Sequence, residues 1–176
     1  MNSPEILYQA SRFRVERVVQ TTPDGQQHIR QVVRHPGAVV ILPLLDGDRV
    51  CLLRQYRVAV RQTLIELPAG TLEPGEDPAD CARRELAEET GYRAGRIEPL
   101  LTFYMSPGIL DEQMHLYVAT SLQPGPTSFD AGEDIQPLLC TWPQALEMVR
   151  TGKITDGKTL VALLLYHLQT QQSRNV

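Results

Sequence analysis

Cysteine is scarce in this chain. Cys51, Cys81 and Cys140 stand far apart in 176 residues, with no Cys-x-x-Cys pair and no histidine-rich companion. That spacing argues against a disulfide framework or a zinc site and leaves small, buried apolar residues of a reducing compartment. Long apolar runs are missing too. No stretch approaches the ~18 apolar residues of a membrane helix, and "MNSPEILYQA" has no basic segment followed by an apolar one. Positive charge is not in excess: 17 Lys and Arg face 21 Asp and Glu, for a net charge of −4. Neither a nucleic-acid backbone nor an anionic membrane is therefore an expected partner. There is no internal repeat and no low-complexity tract, and "QTQQSRNV" reads as a frayed tail. The expectation is a cytoplasmic globular protein of one domain, with a core of ordinary size and at most a small appendage.

The residues present divide the chain clearly. "FRVERVVQT" and "HIRQVVR" are valine-rich and flank the turn "TPDGQQ", which predicts an antiparallel hairpin over 12–34. "GAVVILPLL" is apolar almost throughout, as in a strand covered on both faces. "VCLLRQY" returns as a second strand and "LIEL" as a short third, followed by a loop from Pro68 to Glu76. A helix then has strong punctuation: Asp77 to cap it, Pro78 in its first turn, and Gly91 for a left-handed C-terminal residue. "IEPLLTFYM", "MHLYVAT" and "IQPLLCTW" read as strands. Pro143 opens a helix to about Thr151. "DGKTLVALLLYHLQ" reads as a terminal helix, apolar on most sides and so expected to be buried. Mixed strands with helices between and after them predict an α/β layered domain, with the N-terminal hairpin standing before it.

One turn of the punctuated helix carries Glu85, Glu88 and Glu89. Like charges at this spacing repel and weaken a helix. Taken alone, a "RELAEE" run is more often a solvated face than a site. Yet Glu85 and Glu89, at i and i+4, share one side, beside the apolar stripe of Ala79, Ala82 and Leu86. They are expected at the edge of the core, where crowded carboxylates need a cation or take up protons. Mg²⁺, a hard ion that keeps several waters, is satisfied by two or three carboxylates.

The stretch from Gly70 to Tyr92 resembles the Nudix hydrolase box, G-x5-E-x7-R-E-U-x-E-E-x-G-U, where U is bulky and apolar. Gly70, Glu76, Arg84, Glu85, Leu86, Glu88, Glu89, Gly91 and Tyr92 fill its positions. At residue frequencies of roughly 5–7%, the seven-letter skeleton matches by chance about once in 10⁸ registers. Tyr92 is the soft departure, aromatic where the family more often has an aliphatic residue. "RQYR", "ELPAG", "SPGILDE" with Pro107 fifteen residues past Tyr92, "GEDI" and "ITDGKTLVALL" are similar to the ADP-ribose pyrophosphatase group. GDP-mannose pyrophosphatases look alike in several of these stretches.

The resemblance implies a Nudix-type α/β/α sandwich with a mixed sheet, preceded by a small N-terminal antiparallel sheet. The expected divisions are 1–36 for the dimerisation segment, 37–170 for the hydrolase domain and 171–176 for a tail. The implied reaction is Mg²⁺-dependent hydrolysis of a nucleoside diphosphate sugar, with Mn²⁺ as a substitute ion. ADP-ribose, giving AMP and ribose 5-phosphate, is the first choice and GDP-mannose the second. A domain that senses ADP-ribose without turnover is the reading of another class. Glu85, Glu89 and the main-chain carbonyl of Ala69 are the implied metal ligands. Glu88 either binds a further ion or pairs with Arg84. Gly70 is expected to let the backbone turn so that the Ala69 carbonyl faces the ion, and Glu76 to shape the loop. Arg57 would touch the substrate phosphates, Arg54 would be structural, and Glu112 would accept from ribose hydroxyls. The general base is expected on the acidic loop "SFDAGEDIQ": Glu133 first, with Asp130 and Asp134 beside it and Glu88 in reserve. The N-terminal sheet would exchange with a twofold partner, His28 and Arg34 helping to hold the adenine.

Overall fold

The computed structural model describes residues 5–46, 48–128 and 134–174, the side chains of 173 and 174 excepted. The N-terminal segment is a sheet of three strands, not two: β1 (Glu5–Gln9), β2 (Arg14–Thr21) and β3 (Gln27–Arg34) pair antiparallel in that order. Sequence reading overlooked β1 because "EILYQ" is too short to show alternation and every residue in it is exposed.

The larger sheet contains β4 (Ala38–Leu45), β5 (Arg49–Arg57), β6 (Gln62–Glu66), β7 (Ala69–Thr71), β8 (Tyr92–Tyr104), β9 (Gln113–Pro124) and β10 (Ile135–Thr141). Its path runs β10-β5-β4-β9-β8, with β6 on β5 and β7 on β4. Only β4 and β9 pair parallel, so the sheet is mixed. The continuous apolar run of β4 has a direct cause. Val40 and Leu42 pack on one face with Ala145, Ala162 and Leu163, while Val39 and Ile41 pack on the other with Cys81, Ala82 and Leu86. Those partners lie on helices α1 (Pro78–Thr90), α2 (Trp142–Arg150) and α3 (Gly157–Arg174). The result is the expected α/β/α sandwich.

Helix α1 begins and ends as its punctuation predicts. Asp77 accepts from the Ala79 N–H at 2.8 Å, and Gly91 closes the helix at φ 72°. A Cβ on Gly91 would stand 2.6 Å from the Gly125 carbonyl oxygen, in a backbone region that L side chains avoid. Gly91→Ala is therefore expected to destabilise the protein by about 1–3 kcal/mol, read as a lower denaturant midpoint.

Three expectations change. The Pro68–Glu76 stretch is not all loop, since Ala69–Thr71 forms β7 on β4. Helix α3 is not buried on most sides: Ala162 and Leu163 are fully covered, but Leu164 and Leu168 are 45% and 61% exposed. It also continues through Gln169–Arg174, where a frayed tail was the expectation.

Candidate active site

A cavity of about 780 Å³ opens between the N-terminal sheet and the sandwich. One wall is the turn from Gln9 to Arg14. The other is formed by β7, the inner side of α1, the end of β5, the Asp111–Glu112 loop and the start of α3. The two parts are joined by main-chain bonds: Val33 N–H to the Ile109 carbonyl at 2.8 Å, and Asp111 N–H to the Val33 carbonyl at 3.1 Å. Arg34 adds side-chain bonds, from Nε to buried Glu16 at 2.8 Å and from Nη1 to Asp111 at 3.1 Å.

The glutamate turn of α1 faces this cavity. Glu89 is only 3% exposed, and its carboxylate accepts the Ala69 N–H at 2.9 Å. Ile41 donates to the Pro68 carbonyl at 2.9 Å, and the register pairs Val40 with Ala69. In an antiparallel ladder hydrogen-bonded pairs alternate, so Ala69 occupies a non-bonded position and both its N–H and C=O point away from β4. The Ala69 carbonyl thus leaves the strand on the side where its N–H meets Glu89. Gly70 serves a different purpose from the one expected. Its φ is not positive; what it provides is room, since a Cβ there would lie 1.9 Å from the Glu85 carboxylate.

Arg84 organises the remaining carboxylates. Its Nε and Nη2 both donate to Glu76, each at 3.0 Å, while Nη1 donates to Glu85 at 2.8 Å and to Glu88 at 3.1 Å. The bidentate contact holds the Glu76 carboxyl down at about 2, against an ordinary 4.5. A carboxylate lowered in this way adds stability that is complete above its unfolded pKa and lost as pH falls through the folded one. Glu76→Gln is therefore expected to lower Tm at neutral pH. The gap from the parent should close between about pH 4.5 and pH 2, as thermal melts across that range would reveal.

Among the described residues, no three His, Cys, Asp or Glu side chains form a ready-made ligand cluster. A divalent ion nevertheless fits the donors present. Glu85 and Glu89 share one helix face, the Ala69 carbonyl emerges beside Glu89, and a glycine leaves space where the carboxylate stands. Arg84 Nη1 meanwhile donates to one oxygen of Glu85, placing a positive charge beside it.

On the same wall, at the end of β5, Arg57 donates through Nε and Nη2 to Glu66, at 2.8 and 2.7 Å. The Glu66 carboxylate raises the Arg57 pKa. Burial alone would raise the Glu66 pKa, but the hydrogen bond from Arg57 and the charge of Lys158 hold it below its ordinary value.

Of the residues expected to hold the metal or the substrate, Arg34, Arg57, Ala69, Glu85, Glu89 and Glu112 meet at this cavity. Glu112 lies 3.4 Å from the His35 ring. Glu88 is not on the cavity wall; its side chain pairs with Arg84 and its carbonyl accepts from Ser128 at 3.0 Å. His28 pairs with Gln20 at the far end of β3 from Arg34 and does not reach this cavity. Arg54 is exposed on β5. Glu133 and Asp130 lie outside the described residues. Asp134 is described, its carbonyl accepting from Tyr56 at 3.2 Å. Sequence reading missed the Arg12–Arg14 turn, Glu66 and Lys158. The "ELPAG" and "DGKT" motifs were visible, but nothing in one dimension says that they touch.

A carboxylate helix facing arginines across a cavity, on an α/β/α sandwich with a mixed sheet, defines the architectural class. The NUDIX domain family matches residues 34–163 of this chain. A methanol dehydrogenase activator of Bacillus methanolicus is 40% identical over 149 residues, or 84% of this chain and 80% of the relative. An ADP-ribose pyrophosphatase of Bacillus subtilis is 36% identical over the same shares of both chains. A GDP-mannose pyrophosphatase of Escherichia coli is 40% identical over 162 residues, or 85% of this chain and 83% of the relative. The solved structure of an ADP compounds hydrolase superposes with a TM-score of 0.82, covering 100% of this chain and 98% of that one at 24% identity. That likeness establishes the fold. The chain belongs to the Nudix hydrolase family.

Proposed function

We propose that the protein hydrolyses the diphosphate of a nucleoside diphosphate sugar, with ADP-ribose as the preferred substrate. One observation carries this reading. Two carboxylates suited to a divalent ion, Glu85 and Glu89, and two guanidinium groups suited to a diphosphate, Arg34 and Arg57, line the same cavity. Guanidinium forks match phosphate oxygens in geometry and charge. Nudix hydrolases generally use divalent metal ions. We take the ion to be Mg²⁺, Mn²⁺ being able to replace it, held by Glu85, Glu89 and the Ala69 carbonyl. Such an ion neutralises the phosphates and lowers the pKa of water. Arg57 would bind the diphosphate and Glu112 a ribose hydroxyl. Glu133 is the proposed base, with Glu88 as the reserve.

The reading extends to assembly. Val19 and Ile29 oppose each other on β2 and β3 and are each 60% exposed; on β1, Ile6 is 56% and Tyr8 59% exposed. A small sheet with so much uncovered apolar surface is marginal alone, which supports a twofold partner covering it. In such a dimer His28 would serve the neighbouring site. No described helix is long and apolar enough to cross a membrane, and the three cysteines are free and buried. Both fit the proposed cytoplasmic location.

The test is phosphate release, coupled to a phosphatase, over ADP-ribose, GDP-mannose and ATP with Mg²⁺ present. For the two sugars only cleavage exposes the monoesters that the phosphatase removes; ATP, whose terminal phosphate the phosphatase attacks directly, is followed by formation of AMP without the coupling enzyme. The expected order of kcat/KM is ADP-ribose, then GDP-mannose, with ATP poor. The 40% identity to a GDP-mannose pyrophosphatase favours that sugar as the second reading, and a tenfold lead for it would make it the first.

A further inference from the structure

Two motifs distant in sequence meet beside Arg57. Glu66, at the end of β6, is a carboxylate with 1% side-chain exposure. Arg57 grips it from the cavity side through Nε and Nη2. Lys158, in the first turn of α3, 9% exposed and itself on the cavity lining, donates to the same carboxylate. Lys158 is fixed in turn by Asp156 at 2.9 Å. Asp156 caps α3 by accepting the Thr159 N–H at 3.0 Å, and the Thr159 hydroxyl accepts the Leu67 N–H at 2.8 Å. Arg57, Glu66, Lys158 and Asp156 balance in charge, two positive against two negative.

A buried ionic network of this kind is a weak source of stability, because desolvating the charges costs about as much as their attraction returns. Its geometry points elsewhere. The Glu66 carboxylate uses the Nε–Nη2 edge of the guanidinium, and among the described residues no acceptor takes Nη1, whose two hydrogens are left for a ligand in the cavity that Arg57 lines. An unheld arginine would have to surrender rotamer freedom on binding.

We infer that Glu66 is a positioning residue for Arg57, and that Lys158, carried on the capped end of α3, is the buttress that keeps the Glu66 carboxylate in place. The inference rests on the proposed nucleotide-sugar reaction for its kinetic consequence, but not for its geometry. Glu66 touches no substrate in this scheme; it acts through Arg57.

A double-mutant cycle tests it on the full chain, with ADP-ribose and GDP-mannose as substrates. Arg57→Ala is expected to lower kcat/KM by about 10–100-fold, the worth of a hydrogen bond to a charged group. Glu66→Gln keeps the shape but turns one acceptor into a donor facing the guanidinium. It should cause most of the same loss, chiefly in KM. In the Arg57→Ala background it should add less than about twofold, since coupled residues are not additive. A purely structural Glu66 would instead lower kcat/KM by the same factor in both backgrounds, which overturns the inference, as does an unchanged Glu66→Gln enzyme. If Glu66→Gln fails to fold, Lys158→Met replaces it in the cycle with the same two outcomes. Should the parent cleave neither sugar, the proposed function fails, and the positioning is judged on the Arg57 Nε–H resonance. A signal protected from exchange in the parent and lost in Glu66→Gln or Lys158→Met upholds it; an unprotected signal in the parent overturns it.

Discussion

Replacing Glu85 or Glu89 by glutamine is expected to lower kcat/KM for a nucleotide sugar by about 10³-fold or more, with the protein still folded. The amide keeps the size of the side chain but is a poor ligand for a hard cation. Both residues face the cavity from one side of α1, and Glu89 is nearly inaccessible. Stability should move little. Glu89→Gln removes one like-charge pair and Glu85→Gln removes two, each worth about 0.2–0.5 kcal/mol. Glutamine at 89 still accepts the Ala69 N–H through its amide oxygen. At 85 the relief is offset by losing the charged contact with Arg84. The check is steady-state kinetics over a Mg²⁺ titration beside a thermal melt. A lost ligand should shift the Mg²⁺ dependence to higher concentration. Near-normal turnover in either variant at low Mg²⁺ would sink the metal-site reading.

Gly70→Ala is the second large effect, and it separates geometry from chemistry. The added methyl would stand 1.9 Å from the Glu85 carboxylate, too close for either to stay. Glu85 has the more mobile end, so it swings aside at little cost to the fold. Gly70 lies in β7 without a positive φ, so alanine brings no backbone strain. The expected result is a Tm close to that of the parent and a loss of about 10²-fold in kcat/KM, the order of penalty for misplacing a reactive group by an ångström. A mutant active at the parent's level would mean that the Glu85 position is not used. A mutant that unfolds would mean that β7 cannot absorb the shift.

The contrast between these two residues explains what could be read in one dimension. Glu85, Glu89 and the caps Asp77 and Gly91 were legible because helix geometry is local: a period of 3.6 residues places i and i+4 together whatever surrounds them. The two-faced apolar run of β4 was legible for the same reason, since burial on both sides removes alternation. The sandwich followed from the order of such elements and from the Nudix box. Other features depended on distant partners. Gly70 looked like a turn residue, yet it is needed for space, which exists only because α1 packs over β7. Strand β1 has no burial pattern of its own and forms by pairing with β2. Helix α3 is apolar nearly all round in sequence, but the sheet covers only one side of it, leaving Leu164 and Leu168 exposed. Glu66 and Lys158 lie 92 positions apart. The local sequence by itself determined the helix that carries the carboxylates. Only tertiary packing decided which cations face them, because a charge pair between distant residues forms where the chain brings them together and leaves no periodic trace along it.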